Sequence, residues 1–146
     1  VGRSQGLFEN GAGELADAAS ALDWLQSFNR EAKICWIAGV SFGSWISMQL
    51  LMRRPEISGF ISIAPLAKHY DFSFLAPCPA SGIFINGEKD VVASPESVHS
   101  LVSKLKKGIT IEHKVIAGAN HFFQDKTDEL TKICSAYLDK RLSREE

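Results

Sequence analysis

The chain has 146 residues, of which 45% are hydrophobic and 23% charged, and its formal net charge is −1. This length suits one domain with a sizeable core, and the balanced charge favours neither nucleic acid nor another polyanion as a partner. The one basic cluster, residues 104–107, is expected to close a helix, and no apolar run approaches the length of a membrane span.

Helical and strand patterns alternate along the chain. A helical stripe of leucines and alanines is expected from Glu14 onwards, and an apolar strand follows at residues 34–38. The next helix begins after Ser41 and ends at residues 53–55. Three further strands are predicted at residues 59–64, 82–87 and 110–116. A helix with Ser94 as N-cap and Pro95 at its first position follows the second of them, and a last helix is predicted at residues 128–142.

This alternation predicts an α/β fold. Strands that alternate with helices form a parallel sheet, here of about four strands, with helices covering both faces. The crossover connections are expected to be right-handed.

The most informative segment is Gly39-Val40-Ser41-Phe42-Gly43, which fits G-x-S-x-G between a strand and a helix. A nucleophilic serine needs a tight turn that lifts its hydroxyl clear of the backbone. The two glycines are expected to press against neighbouring backbone, where a Cβ would collide. The Phe42 N–H, at the positive end of the following helix, is positioned to donate to an oxyanion. A structural alternative is a turn that needs small residues only for packing.

With this motif, the chain resembles the α/β-hydrolase superfamily, and more closely the small bacterial dienelactone-hydrolase-like enzymes. The resemblance covers nearly the whole chain but corresponds to the second half of such a protein. It implies a single α/β-hydrolase domain over residues 1–146 that lacks the first strands of the fold. It also implies small ester or lactone substrates. The sequence itself contains no cofactor motif and no metal-like spacing, so neither a cofactor nor a metal is expected.

The order of catalytic groups in this superfamily is serine, then an acid, then histidine. Asp90 follows the third predicted strand and matches the position of the acid, although a turn or helix-capping role would also explain it. Asp71, after the second strand, is the alternative acid, and Glu88 lies too close to the strand end to be preferred.

His121 is the expected base, because it follows the last strand in a glycine-led loop. The other three histidines have structural interpretations. His113 lies within a strand and is expected to pack there, His99 lies on a helix beside the apolar stripe, and His69 lies in a loop that could border a pocket.

The aromatic loop at residues 70–75 has two interpretations: local core over the end of the sheet, or an apolar wall for a substrate. The three cysteines, Cys35, Cys78 and Cys134, are odd in number and lack metal-ligand spacing. They favour a reducing compartment, so we expect a cytoplasmic protein.

The strand at residues 34–38 is apolar on both faces and carries no charged gatekeeper. In the family that this chain resembles, a further strand covers its edge, and the loop after that strand supplies the second oxyanion donor. We therefore expect the edge to pair with a second copy or another polypeptide, or the chain to be part of a longer protein. The leading function is a serine esterase; the alternatives are an acyl-peptidase and a partner-dependent scaffold without activity.

Overall fold

The computed structural model describes residues 2–105 and 108–144, so Lys106 and Lys107 of the basic cluster lie outside the described residues. The helices are α1 (Ala12–Phe28), α2 (Phe42–Arg53), α3 (Pro95–Leu105) and α4 (Thr127–Leu142), with a 3-10 turn at Ser73–Leu75. The strands are β1 (Cys35–Val40), β2 (Ile57–Ile63), β3 (Gly82–Gly87) and β4 (Ile111–Ile116).

The four strands form one sheet in the order β1-β2-β3-β4, and every neighbouring pair is parallel. Val40 is in register with Ile63, and Gly87 with Ile116. All the carboxyl ends therefore meet at one edge, where open parallel sheets place their ligands. The predicted α/β fold with a four-stranded parallel sheet is confirmed.

The two faces of the sheet carry separate apolar clusters because successive side chains of a strand point in opposite directions. Phe60, Phe84 and Ile111 contribute to one cluster, together with buried residues of α1, α2 and α3. Ile61, Ile83 and Ile85 contribute to the other, which α4 covers chiefly with Tyr137. Helices thus cover both faces, three on one side and one on the other.

The outer edge of β1 is open: among the described residues, β1 pairs only with β2. A cavity of about 410 Å³ lies beside it, lined by α1 residues such as Leu25 and by Ile34 and Trp36. Leu25 is 53% exposed and Ile34 42% exposed, and the buried Trp36 Nε1 has no hydrogen-bond partner among the described residues. The structure leaves this edge uncovered, and what covers it stays a prediction.

Candidate active site

Ser41 occupies a strained turn between β1 and α2. Its backbone has φ 56° and ψ −117°, in a region that residues with a side chain rarely adopt. The turn is held because the Ser41 N–H donates to the carbonyl oxygen of Ile63 at 2.8 Å. The sequence therefore places a serine, rather than a glycine, at a strained point of the backbone, as a nucleophile elbow requires.

The two glycines of the motif have different environments. A Cβ on Gly39 would collide with the carbonyl oxygen of Gly43 and with the Ser47 hydroxyl. A Cβ on Gly43 would meet nothing within 4 Å among the described residues. The expectation of backbone crowding is confirmed for Gly39 and wrong for Gly43, because the first turn of α2 projects the Gly43 hydrogen into open space.

His121 links the serine to the acid. Its Nε2 lies 2.9 Å from Ser41 Oγ, and its Nδ1 lies 2.7 Å from Asp90 Oδ2. An ionised carboxylate can only accept, so Nδ1 carries the proton and Nε2 of the neutral ring is left to accept from the Ser41 hydroxyl. This tautomer lets His121 act as a base toward Ser41.

Asp90 is buried, with 3% of its surface exposed, and each of its two oxygens has a separate partner. Oδ1 accepts from the backbone N–H groups of Val92 and Ala93 at 2.8 and 2.7 Å. Oδ2 is thereby directed to His121. Oδ1 thus performs the turn role considered for Asp90, while Oδ2 contacts His121 as the acid role requires; that role stays a prediction.

The loops that carry the acid and the base are packed backbone to backbone. A Cβ on Gly87 would collide with the carbonyl oxygen of Ala119, and the Lys89 N–H donates to that same oxygen at 2.9 Å. Glu88, the carboxylate passed over in the sequence, accepts from the Gly118 N–H at 3.1 Å. Glu88 therefore joins the two loops and does not contact His121 through any hydrogen bond within the described residues.

The histidine and the carboxylate that the structure brings to Ser41 are His121 and Asp90, and the other candidates have different surroundings. Asp71 is exposed and accepts from the Ser73 N–H at 2.8 Å, and its hydrogen bonds with Ser73 lower the pKa of its carboxyl group. His69 and His99 are exposed. His113 lies in β4, as its strand position predicts, with its Nε2 2.6 Å from Asn86 Oδ1.

Phe42 opens α2, so its N–H belongs to the first turn, for which the helix itself has no acceptor. This N–H and the positive end of the helix dipole are available to an oxyanion beside Ser41. A second donor stays unassigned among the described residues.

Aromatic rings surround the elbow. The Phe42 ring lies 5.7 Å from that of Tyr70 and 5.3 Å from that of Phe8. The Phe122 ring lies 5.4 Å from the His121 ring and is 83% exposed. In the aromatic loop, Phe72 and Leu75 are core, as one interpretation expected. Tyr70 packs against the Phe42 ring beside the elbow, and its role as a wall for a substrate stays a prediction.

Sequence reasoning missed two residues next to the acid. Gly87 permits the close approach of the two loops, and Asn86 is a fully buried amide. The signal for Asn86 was a polar residue near the end of an otherwise apolar strand. In the part of the chain that the structure describes, no three histidine, cysteine or carboxylate residues are grouped so that they could hold a metal ion. Nor is any helix there long and apolar enough to cross a membrane.

Comparisons with a family model and with a curated protein each match nearly the whole chain. The model of the dienelactone hydrolase family matches residues 4–143. An uncharacterized protein of Rickettsia prowazekii is 50% identical in an alignment of 144 positions that covers 94% of this chain and 60% of that protein. The chain thus spans about 60% of the length of this curated relative.

Solved structures also match most of this chain and are themselves covered only in part. A protein of unknown function from Agrobacterium tumefaciens is 63% identical, with a TM-score of 0.95 over 98% of this chain and 66% of its own. An α/β serine hydrolase homologue from Coxiella burnetii is 32% identical, with a TM-score of 0.83 over 91% of this chain and 62% of its own.

Proposed function

Because the chain belongs to the dienelactone hydrolase family, we propose that it is a serine hydrolase that cleaves small carboxylic esters or lactones through an acyl-enzyme intermediate. The observation that carries this proposal is the continuous contact from Ser41 Oγ through His121 to Asp90, at 2.9 and 2.7 Å. A serine hydroxyl is a weak nucleophile at neutral pH, and this arrangement supplies the base and the orienting carboxylate that it needs.

In the proposed reaction, Ser41 Oγ attacks the ester carbonyl carbon while His121 Nε2 takes the hydroxyl proton. The negative charge that develops on the carbonyl oxygen faces the Phe42 N–H and the start of α2. Asp90 stabilises the imidazolium that forms. The tetrahedral species then collapses: the bond between the carbonyl carbon and the leaving oxygen breaks, His121 returns the proton to that oxygen, and the acyl group is left on Ser41 Oγ as an ester.

The second half of the reaction uses the same groups. His121 takes a proton from a water molecule, which attacks the acyl-enzyme carbonyl carbon. Collapse of the tetrahedral species returns the proton to Ser41 Oγ and releases the acid. Of the catalytic groups, Asp90 is buried, and the side chain of His121 is 13% exposed, so water and substrate can reach the base.

Small, apolar substrates are supported by the surroundings of Ser41. Phe42, Tyr70 and the exposed Phe122 present aromatic surface beside the nucleophile and the base. A cytoplasmic location forms part of the proposal, because the three cysteines are free thiols and a reducing compartment keeps them so.

Two other functions remain as alternatives. An acyl-peptidase would use the same triad, and only the substrate distinguishes it. A partner-dependent scaffold is favoured by one observation, the outer edge of β1, which has no partner strand among the described residues.

Hydrolysis of matched substrates separates these functions. We would compare acyl esters of p-nitrophenol with the corresponding p-nitroanilides, which differ only in the bond cleaved. The esterase proposal expects hydrolysis of short-chain esters, little cleavage of anilides, and no activity in Ser41→Ala. Faster anilide cleavage would favour the peptidase, and ester turnover equal to that of Ser41→Ala would favour the scaffold.

A further inference from the structure

Asn86 is a buried polar residue in an apolar strand. It is 0% exposed, and the three residues before it in β3, Ile83, Phe84 and Ile85, are all buried and apolar. Burial of a carboxamide is costly unless its N–H and C=O groups are hydrogen-bonded. The side chain also lies four positions before Asp90, in the strand that leads into the acid loop, residues 87–93.

The hydrogen bonds of Asn86 fix the orientation of its amide. Nδ2 lies 3.3 Å from the carbonyl oxygen of Gly87 and 3.4 Å from that of Ala93, and both of these atoms can only accept. The amide oxygen therefore faces His113 Nε2 at 2.6 Å, and that ring nitrogen must carry the proton and donate. One side chain thus contacts β4 and both ends of the acid loop.

The contact with Ala93 connects Asn86 to Asp90. The Ala93 carbonyl accepts from the Asn86 amide, while the Ala93 N–H donates to Asp90 Oδ1 at 2.7 Å. Because Oδ1 is held in this way, Oδ2 is left for His121 Nδ1. A shift of Ala93 would release Oδ1 and allow the carboxylate to rotate away from the imidazole.

We propose that Asn86 is a positioning residue for the acid loop, and that His113 holds its amide in place. Asn86 contacts neither Ser41 nor His121 through any hydrogen bond of the described residues, so it acts through Asp90. The inference rests on the proposed function, because that function assigns the role of catalytic acid to Asp90. Loss of the Asn86 side chain is therefore expected to lower kcat and leave KM nearly unchanged.

The test uses Asn86→Ala and Asn86→Asp in the full chain, with Ile57→Ala as a matched control. Ile57 is buried at the amino end of β2, so its truncation weakens the core far from the acid loop. Asn86→Asp keeps an acceptor for His113 but loses the N–H groups that bind the Ala93 carbonyl. Both Asn86 variants are expected to slow turnover and fluorophosphonate labelling of Ser41 by about 10- to 100-fold.

A double-mutant cycle separates positioning from general destabilisation. If Asn86 acts through Asp90, Asn86→Ala costs less than about threefold further in an Asp90→Ala background. The full single-mutant loss in that background would overturn the inference. So would an equal loss in Ile57→Ala, or labelling of Asn86→Ala within twofold of the wild-type rate.

Amide hydrogen exchange tests the same inference without catalysis. The Val92 and Ala93 amides are expected to exchange at least about tenfold faster in Asn86→Asp than in wild type, while amides of α1 stay unchanged. Unchanged exchange at Val92 and Ala93 would overturn the positioning role. Absence of Ser41 labelling in the wild type would instead contradict the proposed function, and exchange would still decide the role of Asn86.

Discussion

Replacement of Asp90 by asparagine should block proton transfer while it leaves the fold intact. The two backbone N–H groups at 2.7 and 2.8 Å require an oxygen at the Oδ1 position, so the new amide must place its NH₂ group where Oδ2 stood. That NH₂ group then donates to His121 Nδ1. The ring must carry its proton on Nε2, where it donates to Ser41 and cannot accept the hydroxyl proton.

The expected loss follows from this change of tautomer. A ring fixed in the wrong tautomer lowers turnover by about 10⁴-fold in a serine triad, which corresponds to about 5.4 kcal/mol in the activation barrier. The assay is kcat for a p-nitrophenyl ester, together with the rate at which a fluorophosphonate labels Ser41. Thermal unfolding should change little, because aspartate and asparagine have the same shape and the two backbone hydrogen bonds remain.

Asp71→Asn is the matched control. Asp71 is the other acid indicated by the sequence, but it is exposed and its oxygen binds Ser73. Its replacement should leave turnover within about twofold, since no hydrogen bond connects it to His121 among the described residues. If Asp90→Asn kept turnover within tenfold of wild type, or if Asp71→Asn lost as much, the assignment of the acid would be refuted.

Three further outcomes are expected. Gly87→Ala should lower stability by about 1–3 kcal/mol and reduce turnover, because the new Cβ collides with the Ala119 carbonyl oxygen. Gly43→Ala should unfold at nearly the wild-type temperature, and equal effects of the two substitutions would show that the Gly87 contact does not limit the packing of the loops. The 146-residue chain should scatter light as more than a monomer, because its described residues leave the outer edge of β1 without a partner strand; a monodisperse monomer whose residue 34–38 amides exchange slowly would contradict this. Because no second oxyanion donor is assigned among the described residues, the ester turnover of this chain should lie about 10²–10³ below that of a longer homologue, and equal turnover would contradict this expectation.

The fold could be predicted from the sequence because apolar strands alternate with amphipathic helices. The predicted ends of helices and strands are less accurate where a glycine or a capping side chain decides them. Helix α1 begins at Ala12 rather than Glu14, since the Glu14 carboxylate accepts from the Gly11 N–H at 3.3 Å and so lies inside the first turn. Strand β1 continues through Gly39 to Val40, because both residues pair with β2.

The candidate triad could be located because each of its members follows a parallel strand, and these strand ends share one edge. Three residues far apart in sequence, Ser41, Asp90 and His121, are thereby brought together. Local pattern could not reveal contacts that depend on side-chain packing between strands. The hydrogen bond between His113 of β4 and Asn86 of β3 is one example. The open space beside Gly43 likewise depends on the position of α2 against its neighbours, which local pattern does not give.

Covalent labelling of Ser41 tests the central proposal most directly. The chain would be treated with a fluorophosphonate, and the modified residue identified by intact mass and peptide mapping. We expect one adduct per chain, on Ser41, absent in Ser41→Ala and formed much more slowly in His121→Ala. An adduct on another residue, or equal labelling of wild type and Ser41→Ala, would contradict the account.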